Sequence, residues 1–125
     1  MARFCDELSK RHDVAIDVHV ENIPETLPAD ISLCLYRVLQ EALQNVLKHG
    51  LPRRADVSLR GQIDTINLTV KDSGPGFDPD EAMRGQGLGL TSMKERLKAV
   101  GGQLYIQSQR GQGTTIEAVA PLRLQ

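Results

Sequence analysis

Arg37, Glu41, Asn45 and Lys48 fall at i, i+4, i+8 and i+11, so on a helix they share one polar stripe. A carboxylate, an amide and an ammonium group on one stripe suit a magnesium and phosphate site. Magnesium takes hard oxygen ligands and keeps several waters, a demand met by one side-chain carbonyl, such as that of Asn45, together with phosphate oxygens. Glu41 could then hold or activate a water, and Lys48 could offset phosphate charge. The same stripe equally describes a solvated helix face, and the helix alone leaves both readings open. His49, at the helix end, could join the phosphate site or simply satisfy a carbonyl.

Two further groups stand in the right chemistry. Asp72 has the parity of Ile66, Leu68 and Val70, so at the end of that alternating run its carboxylate points to the core side and needs donors. Those donors could be amides of the turn Ser73-Gly74-Pro75-Gly76 or the exocyclic amine of adenine. Thr114 shares the parity of Ile116 and Ala118, and its inward hydroxyl could join Asp72 through a water. The run Gly85-Gln86-Gly87-Leu88-Gly89-Leu90 lies directly before a predicted helix, where free N–H groups and the helix dipole favour an anion and glycines allow close approach. It is neither a Walker loop, since no Gly-Lys-Ser/Thr follows, nor a Rossmann fingerprint, whose spacing and preceding strand it lacks.

The elements that position these residues follow from periodicity. Residues 1–11 read as the tail of a helix, with Phe4 and Leu8 one turn apart. Val14, Ile16, Val18 and Val20 alternate as a strand. Asp30 can cap a long helix whose apolar residues Ile31, Leu35, Leu39, Ala42, Leu43 and Val46 recur at helical spacing and which ends near His49-Gly50. Strands follow at Val57 and Leu59 and at Ile66 to Val70. After the irregular stretch 72–90, Ser92 and Glu95 form a capping box for a helix closed by Gly101-Gly102. Two strands, around 104–106 and 116–120, complete the chain. Short connections favour an α+β domain: a two-layer α/β sandwich with a mixed, mostly antiparallel sheet of about five strands and helices on one face.

The 125 residues, 40% apolar and 25% charged, match one domain. Lys+Arg 15 against Asp+Glu 16 and 3% aromatics without Trp argue against a nucleic-acid backbone or stacked bases as partner. Cys5 and Cys34 form no metal spacing and read as reduced structural thiols. No apolar run reaches the length of a membrane span and no secretory stretch opens the chain. The expected location is therefore cytoplasmic, with no membrane contact by this chain.

The ordered motifs resemble a known family. Glu41-Ala-Leu-Gln-Asn45-Val-Leu-Lys48-His49 is similar to the N box of the GHKL ATPases, which include the sensor histidine kinases. Asp72-Ser-Gly74-Pro-Gly76-Phe is similar to their first glycine box, Gly85-Gln-Gly87-Leu88-Gly89-Leu to the second, and Gly113-Thr114 to the terminal Gly-Thr. The resemblance runs from about Val14 onward. Leu35-Tyr36-Arg37-Val38-Leu39-Gln40 before Glu41, the Lys48-His49 ending and the short span between glycine boxes resemble the histidine kinases paired with LuxR-type response regulators.

The resemblance implies a Bergerat ATP-binding fold that binds Mg-ATP and transfers its γ-phosphoryl to a histidine of a separate dimerisation and phosphoacceptor domain. Asn45 would bind Mg2+, Glu41 would position a water or act as base, Lys48 and His49 would face phosphate, and Asp72 would read adenine with Thr114. Gly74, Gly76, Gly85, Gly87, Leu88 and Gly89 would shape the ATP lid, whose residues 77–87 are expected to be mobile until nucleotide orders them. His12, in Lys-Arg-His-Asp-Val, does not match the phosphoacceptor setting. Residues 1–11 are thus expected to be the end of a missing dimerisation helix and 12–125 the catalytic domain of a parent kinase that could be membrane-anchored. A regulatory nucleotide-binding module, as in anti-sigma-like relatives, is the alternative.

Overall fold

Each stretch of alternating apolar residues has one face to bury, and together they form one sheet. The computed structural model describes residues 2–49, 54–76, 89–109 and 111–122, with the side chains of Ala2 and His49 excepted. The elements are α1 (Ala2–His12), β1 (Ala15–Glu21), α2 (Ala29–His49), β2 (Arg54–Gly61), β3 (Thr65–Asp72), α3 (Leu90–Ala99), β4 (Gln103–Ser108) and β5 (Thr114–Pro121). The strand order is β1-β2-β3-β5-β4. β1 and β2 are parallel, as the α2 crossover between them requires. The other pairs are antiparallel, and the α+β sandwich expected from the sequence is the observed architecture.

The buried face carries Ala55, Val57, Leu59, Ile66, Leu68, Val70, Ile116, Ala118 and Ala120. α2 covers it through Leu35, Val38, Leu39 and Leu43, all at most 1% exposed, and α3 through Leu90, Met93 and Leu97. Each such fully buried side chain is worth about 1.5–3 kcal/mol. α1 joins the same core through Cys5, with Phe4 against the Tyr36 ring at 5.4 Å between centroids. The opposite face is polar and open, bearing the exposed pairs Arg54–Asp17 at 3.0 Å and Arg60–Glu21 at 2.9 Å, which add little stability. Burial pushes the Cys5 and Cys34 thiols up from their ordinary value, as suits inert core cysteines.

Three local expectations are corrected. Asp30 is not the N-cap: α2 starts at Ala29, the Pro28 carbonyl accepts from Ser32 N at 3.0 Å, and Asp30 Oδ1 accepts from Ile31 N at 2.9 Å within the first turn. The Ser92–Glu95 capping box does not open α3. That helix starts at Leu90 after Gly89, whose carbonyl accepts from Met93 N at 3.0 Å, with no side-chain cap. The earlier start brings Leu90 onto the buried face of Met93 and Leu97. Val20 has core-side parity yet is 57% exposed, because it lies at the end of an edge strand. The glycine stop of α3 is as expected: Gly102 N donates to Leu97 O at 2.7 Å and Gly101 N to Lys98 O at 3.1 Å, a Schellman closure.

The β4–β5 hairpin is clamped to the turn after β3. Gly111 N donates to Pro75 O, and a Cβ on Gly113 would run into the Asp72 carbonyl oxygen. Gly111 and Gly113 have nearly the same φ, 82° and 81°, but nothing lies within 4 Å of a Cβ at Gly111. Gly111→Ala should therefore cost only the left-handed strain of about 1–2 kcal/mol, and Gly113→Ala clearly more. Chemical denaturation of the two variants measures this, and equal losses would show that φ alone sets the cost.

Candidate functional site

The register across the sheet aligns Ala55, Asp72, Thr114 and Ser108 in one row, with Asp72 the Cα partner of both Ala55 and Thr114, and Thr114 that of Ser108. All share the parity of the core residues, so a polar row closes the end of an otherwise apolar face. Thr114 is buried, and its Oγ1 lies 2.8 Å from Ser108 Oγ. Ser108 Oγ also donates to Gly113 O at 3.1 Å. Either hydroxyl can donate in the Thr114–Ser108 pair, and each oxygen keeps acceptor capacity.

Asp72 is half-buried. Its Oδ1 accepts from Gly74 N at 2.8 Å, so one of the donors the inward carboxylate requires is the turn amide. Burial pushes its pKa above the ordinary value, and the Gly74 amide pulls it partly back. Gly74 is buried beneath this bond. Gly76, at φ 68°, packs so closely on the Gln109 carbonyl that a Cβ has no room. A cleft of about 470 Å³ lies at this end of the sheet, lined by Asp72, Ser108 and Thr114 of the core-side row and also by Lys71, Gln107 and Thr115 of the open face. A second hollow of about 500 Å³, bounded by His19, Glu21, Ser58 and Arg60 at the β1 edge, is remote from the row and its charges are already paired.

On α2, Glu41 and Asn45 are half-buried, whereas Arg37 and Lys48 are exposed. Arg37 Nη1 turns to Gln40 Oε1 at 3.4 Å, so it does not join the others. The carboxylate of Glu41 reaches α3: its Oε2 lies 2.6 Å from where a Cβ on Gly89 would stand. Only residues 50–53 separate α2 from Arg54, and Ala55 is registered with Asp72. The polar half of α2 and the Asp72 row thus share one end of the sheet. The side chain of His49, and Gly85, Gly87 and Leu88 with the whole stretch 77–88, lie outside the described residues. Ser108 was missed from sequence, although the alternation Leu104, Ile106, Ser108 carries the signal.

The family of histidine kinase-, DNA gyrase B- and HSP90-like ATPases matches residues 30–124, and the chain belongs to it. As a member of an ATPase family it takes ATP as its nucleotide. It is similar to the signal transduction histidine-protein kinase/phosphatase DegS of Brevibacillus brevis, 38% identical over 98 residues that cover 78% of this chain and 25% of DegS. It is similar to the oxygen sensor histidine kinase NreB of Staphylococcus carnosus (strain TM300), 33% identical over 119 residues covering 95% of this chain and 34% of NreB. The chain thus spans about a quarter to a third of these curated relatives. Its fold is shared with the histidine kinase domain from the Erythrobacter litoralis EL346 blue-light activated histidine kinase, at TM-score 0.74 and 23% identity over 97% of this chain and 62% of that one. It is shared also with the Acinetobacter baumannii histidine kinase AdeS, at TM-score 0.76 and 16% identity over 98% of this chain and 61% of that one.

The raised pKa of Asp72 has a definite sign. Its protonated form is favoured in the folded chain, so the stability this contributes is present below the ordinary 3.8 and lost as pH rises through the raised folded value. Asp72→Asn keeps an acceptor for Gly74 without the buried charge. Its Tm should exceed that of the wild type at neutral pH, with the gap closing as pH falls through the raised folded value and gone below 3.8. A gap that opens toward low pH would mean that the amide bond outweighs burial.

Proposed function

We propose that this chain is the ATP-binding catalytic domain of a sensor histidine kinase of the branch serving LuxR-type response regulators. It transfers the γ-phosphoryl of Mg-ATP to a histidine on a separate dimerisation and phosphoacceptor domain. The observation that carries this reading is the polar row Asp72, Thr114 and Ser108 on the buried face at the end of the sheet that the polar half of α2 also reaches. A carboxylate acceptor beside a threonine acceptor, in a half-buried setting, matches an exocyclic amine donor such as that of adenine. ATP held there would extend its phosphates toward Glu41, Asn45 and Lys48 and toward Gly85, Gly87, Leu88 and Gly89 before α3.

Among the described residues no three His, Cys, Asp or Glu side chains gather into a metal site. Magnesium does suit this chain, since a hard cation can take the Asn45 carbonyl directly and Glu41 through water, with phosphate oxygens completing its shell. Bound there, it would offset phosphate charge. Phosphoryl transfer then asks chiefly for positioning. An acceptor imidazole nitrogen attacks the γ-phosphorus as its bond to the β-bridging oxygen breaks and ADP leaves, with Glu41 placed to take the imidazole proton. The phosphoacceptor domain comes from the parent kinase, of which 12–125 is the catalytic domain and 1–11 the end of the dimerisation helix. The response regulator is an indirect partner. No described helix is long and apolar enough to cross a membrane, which fits a cytoplasmic catalytic domain even under an anchored parent.

With radiolabelled ATP and Mg2+, the chain alone should bind nucleotide yet gain no acid-labile label on His12, His19 or His49. Adding the dimeric helical domain in trans should transfer label to it, with Glu41→Ala and Asn45→Ala slowing transfer about 100-fold or more. Calorimetry with and without Mg2+ should show metal-dependent ATP binding that Asn45→Ala makes largely metal-independent. Robust self-labelling would show that the acceptor lies in this chain. ATP binding without transfer to any histidine domain would favour the regulatory nucleotide-binding module.

A further inference from the structure

The glycines of this chain are not alike in what occupies the space of their missing side chains. At Gly61, Gly76, Gly102 and Gly113 that space is taken by a backbone carbonyl oxygen, of Asn22, Gln109, Val119 and Asp72 in turn. A Cβ at any of them has to move the main chain, so these glycines are required by the fold. Gly89 is different. Its space is filled by a charged side chain, with Glu41 Oε2 at 2.6 Å, Cδ at 3.0 Å and Cγ at 3.5 Å from the position of a Cβ.

The backbone of Glu41 cannot yield to such a group. It sits in a long helix whose flanking residues Val38, Leu39, Ala42 and Leu43 are at most 2% exposed. Gly89 is equally held, since its carbonyl starts α3 and the next residue, Leu90, is 2% exposed. What remains free is the Glu41 side chain beyond its Cβ, and the carboxylate rests where Gly89 leaves room for it. A methyl group there would leave both helices in place and swing the carboxylate away.

We propose that Gly89 is a positioning residue for phosphoryl transfer: by lacking a side chain it seats the Glu41 carboxylate against the start of α3. This rests on Glu41 being the group that takes the acceptor proton or orders a water, and it gives Gly89 a task separate from lid shaping. The left-handed φ of 68° makes glycine the easy residue at this point, but φ alone does not dictate which side chain fills the space beside it.

The test is a rescue. Transfer to the dimeric phosphoacceptor domain in trans is measured at saturating Mg-ATP for wild type, Gly89→Ala, Glu41→Asp and the double variant. Gly89→Ala should slow transfer about 100-fold, the scale of an ångström-sized misplacement. Glu41→Asp also slows it, because the shorter side chain falls short of its place. In the double variant the aspartate carboxylate ends near the former Cδ place, 3.0 Å rather than 2.6 Å from the new methyl, an overlap that a small side-chain rotation relieves, so the two losses should not multiply and the double variant should run close to Glu41→Asp alone. In parallel, a nuclear Overhauser contact between the Glu41 γ-protons and the Gly89 α-protons should be present in the wild-type chain. Wild-type transfer with multiplied losses in the double variant, or with Gly89→Ala as fast as wild type, would overturn the positioning role while leaving the kinase reading standing. No transfer by the wild-type chain with any histidine domain would instead remove the kinase reading on which it rests.

Discussion

A carboxylate on the buried face of a sheet must be given donors, and the end of this sheet is organised around that demand. The register that pairs Asp72 with Thr114 and Thr114 with Ser108 replaces apolar contacts by a polar row where the helical cover ends. The row is half satisfied from within: Gly74 N serves Asp72, and Gly113 O takes the proton of Ser108. The carboxylate and hydroxyl oxygens of the row are acceptors, and burial makes the ionised Asp72 carboxylate costly. In this account stability is given up at the site so that a donor-bearing ligand is welcomed there.

The surrounding fold exists to hold that row. The clamp between the turn 73–76 and the hairpin 109–113 leaves no room for side chains at Gly76 or Gly113, so the row cannot drift against the cleft. α2 and α3 pack their apolar faces on the same sheet and bring Glu41 against Gly89. On the open face the exposed ion pairs lie across β1 and β2, while Lys71, Gln107 and Thr115 of β3, β4 and β5 border the cleft. On the proposed reading the chemistry lies at one end of the sheet, a common outcome when a rigid scaffold presents its loops at a sheet's edge.

Much of this was legible in the residues because each element buries one face. Helical spacing located α2 and α3, period-two alternation located the strands, and parity alone aimed Asp72 and Thr114 inward. The strand order was not legible, since the insertion of β5 between β3 and β4 is set by pairing between distant segments. Helix starts misled for a related reason. Ser92-x-x-Glu95 has the composition of a cap, but the burial of Leu90 pulls the helix three residues earlier. Ser108 was reachable by extending the alternation one step beyond Ile106. The contact of Glu41 with Gly89 was not, because spacing along one helix says nothing of what a second helix sets against it. The roles given to the glycine boxes came from family resemblance, and the family match over residues 30–124 supports that source.

The central claim is that adenine is received by the Asp72 row and phosphate by the facing part of α2 and the start of α3. Amide chemical-shift mapping with a non-hydrolysable ATP analogue and Mg2+ tests it most directly. The largest changes are expected at Gly74, Ser108 and Thr114, with a second group at Glu41, Asn45 and Gly89, and little change at His19, Ser58 or Arg60 on the open face. Binding that shifts the open-face hollow and leaves Gly74 and Thr114 unmoved would contradict it.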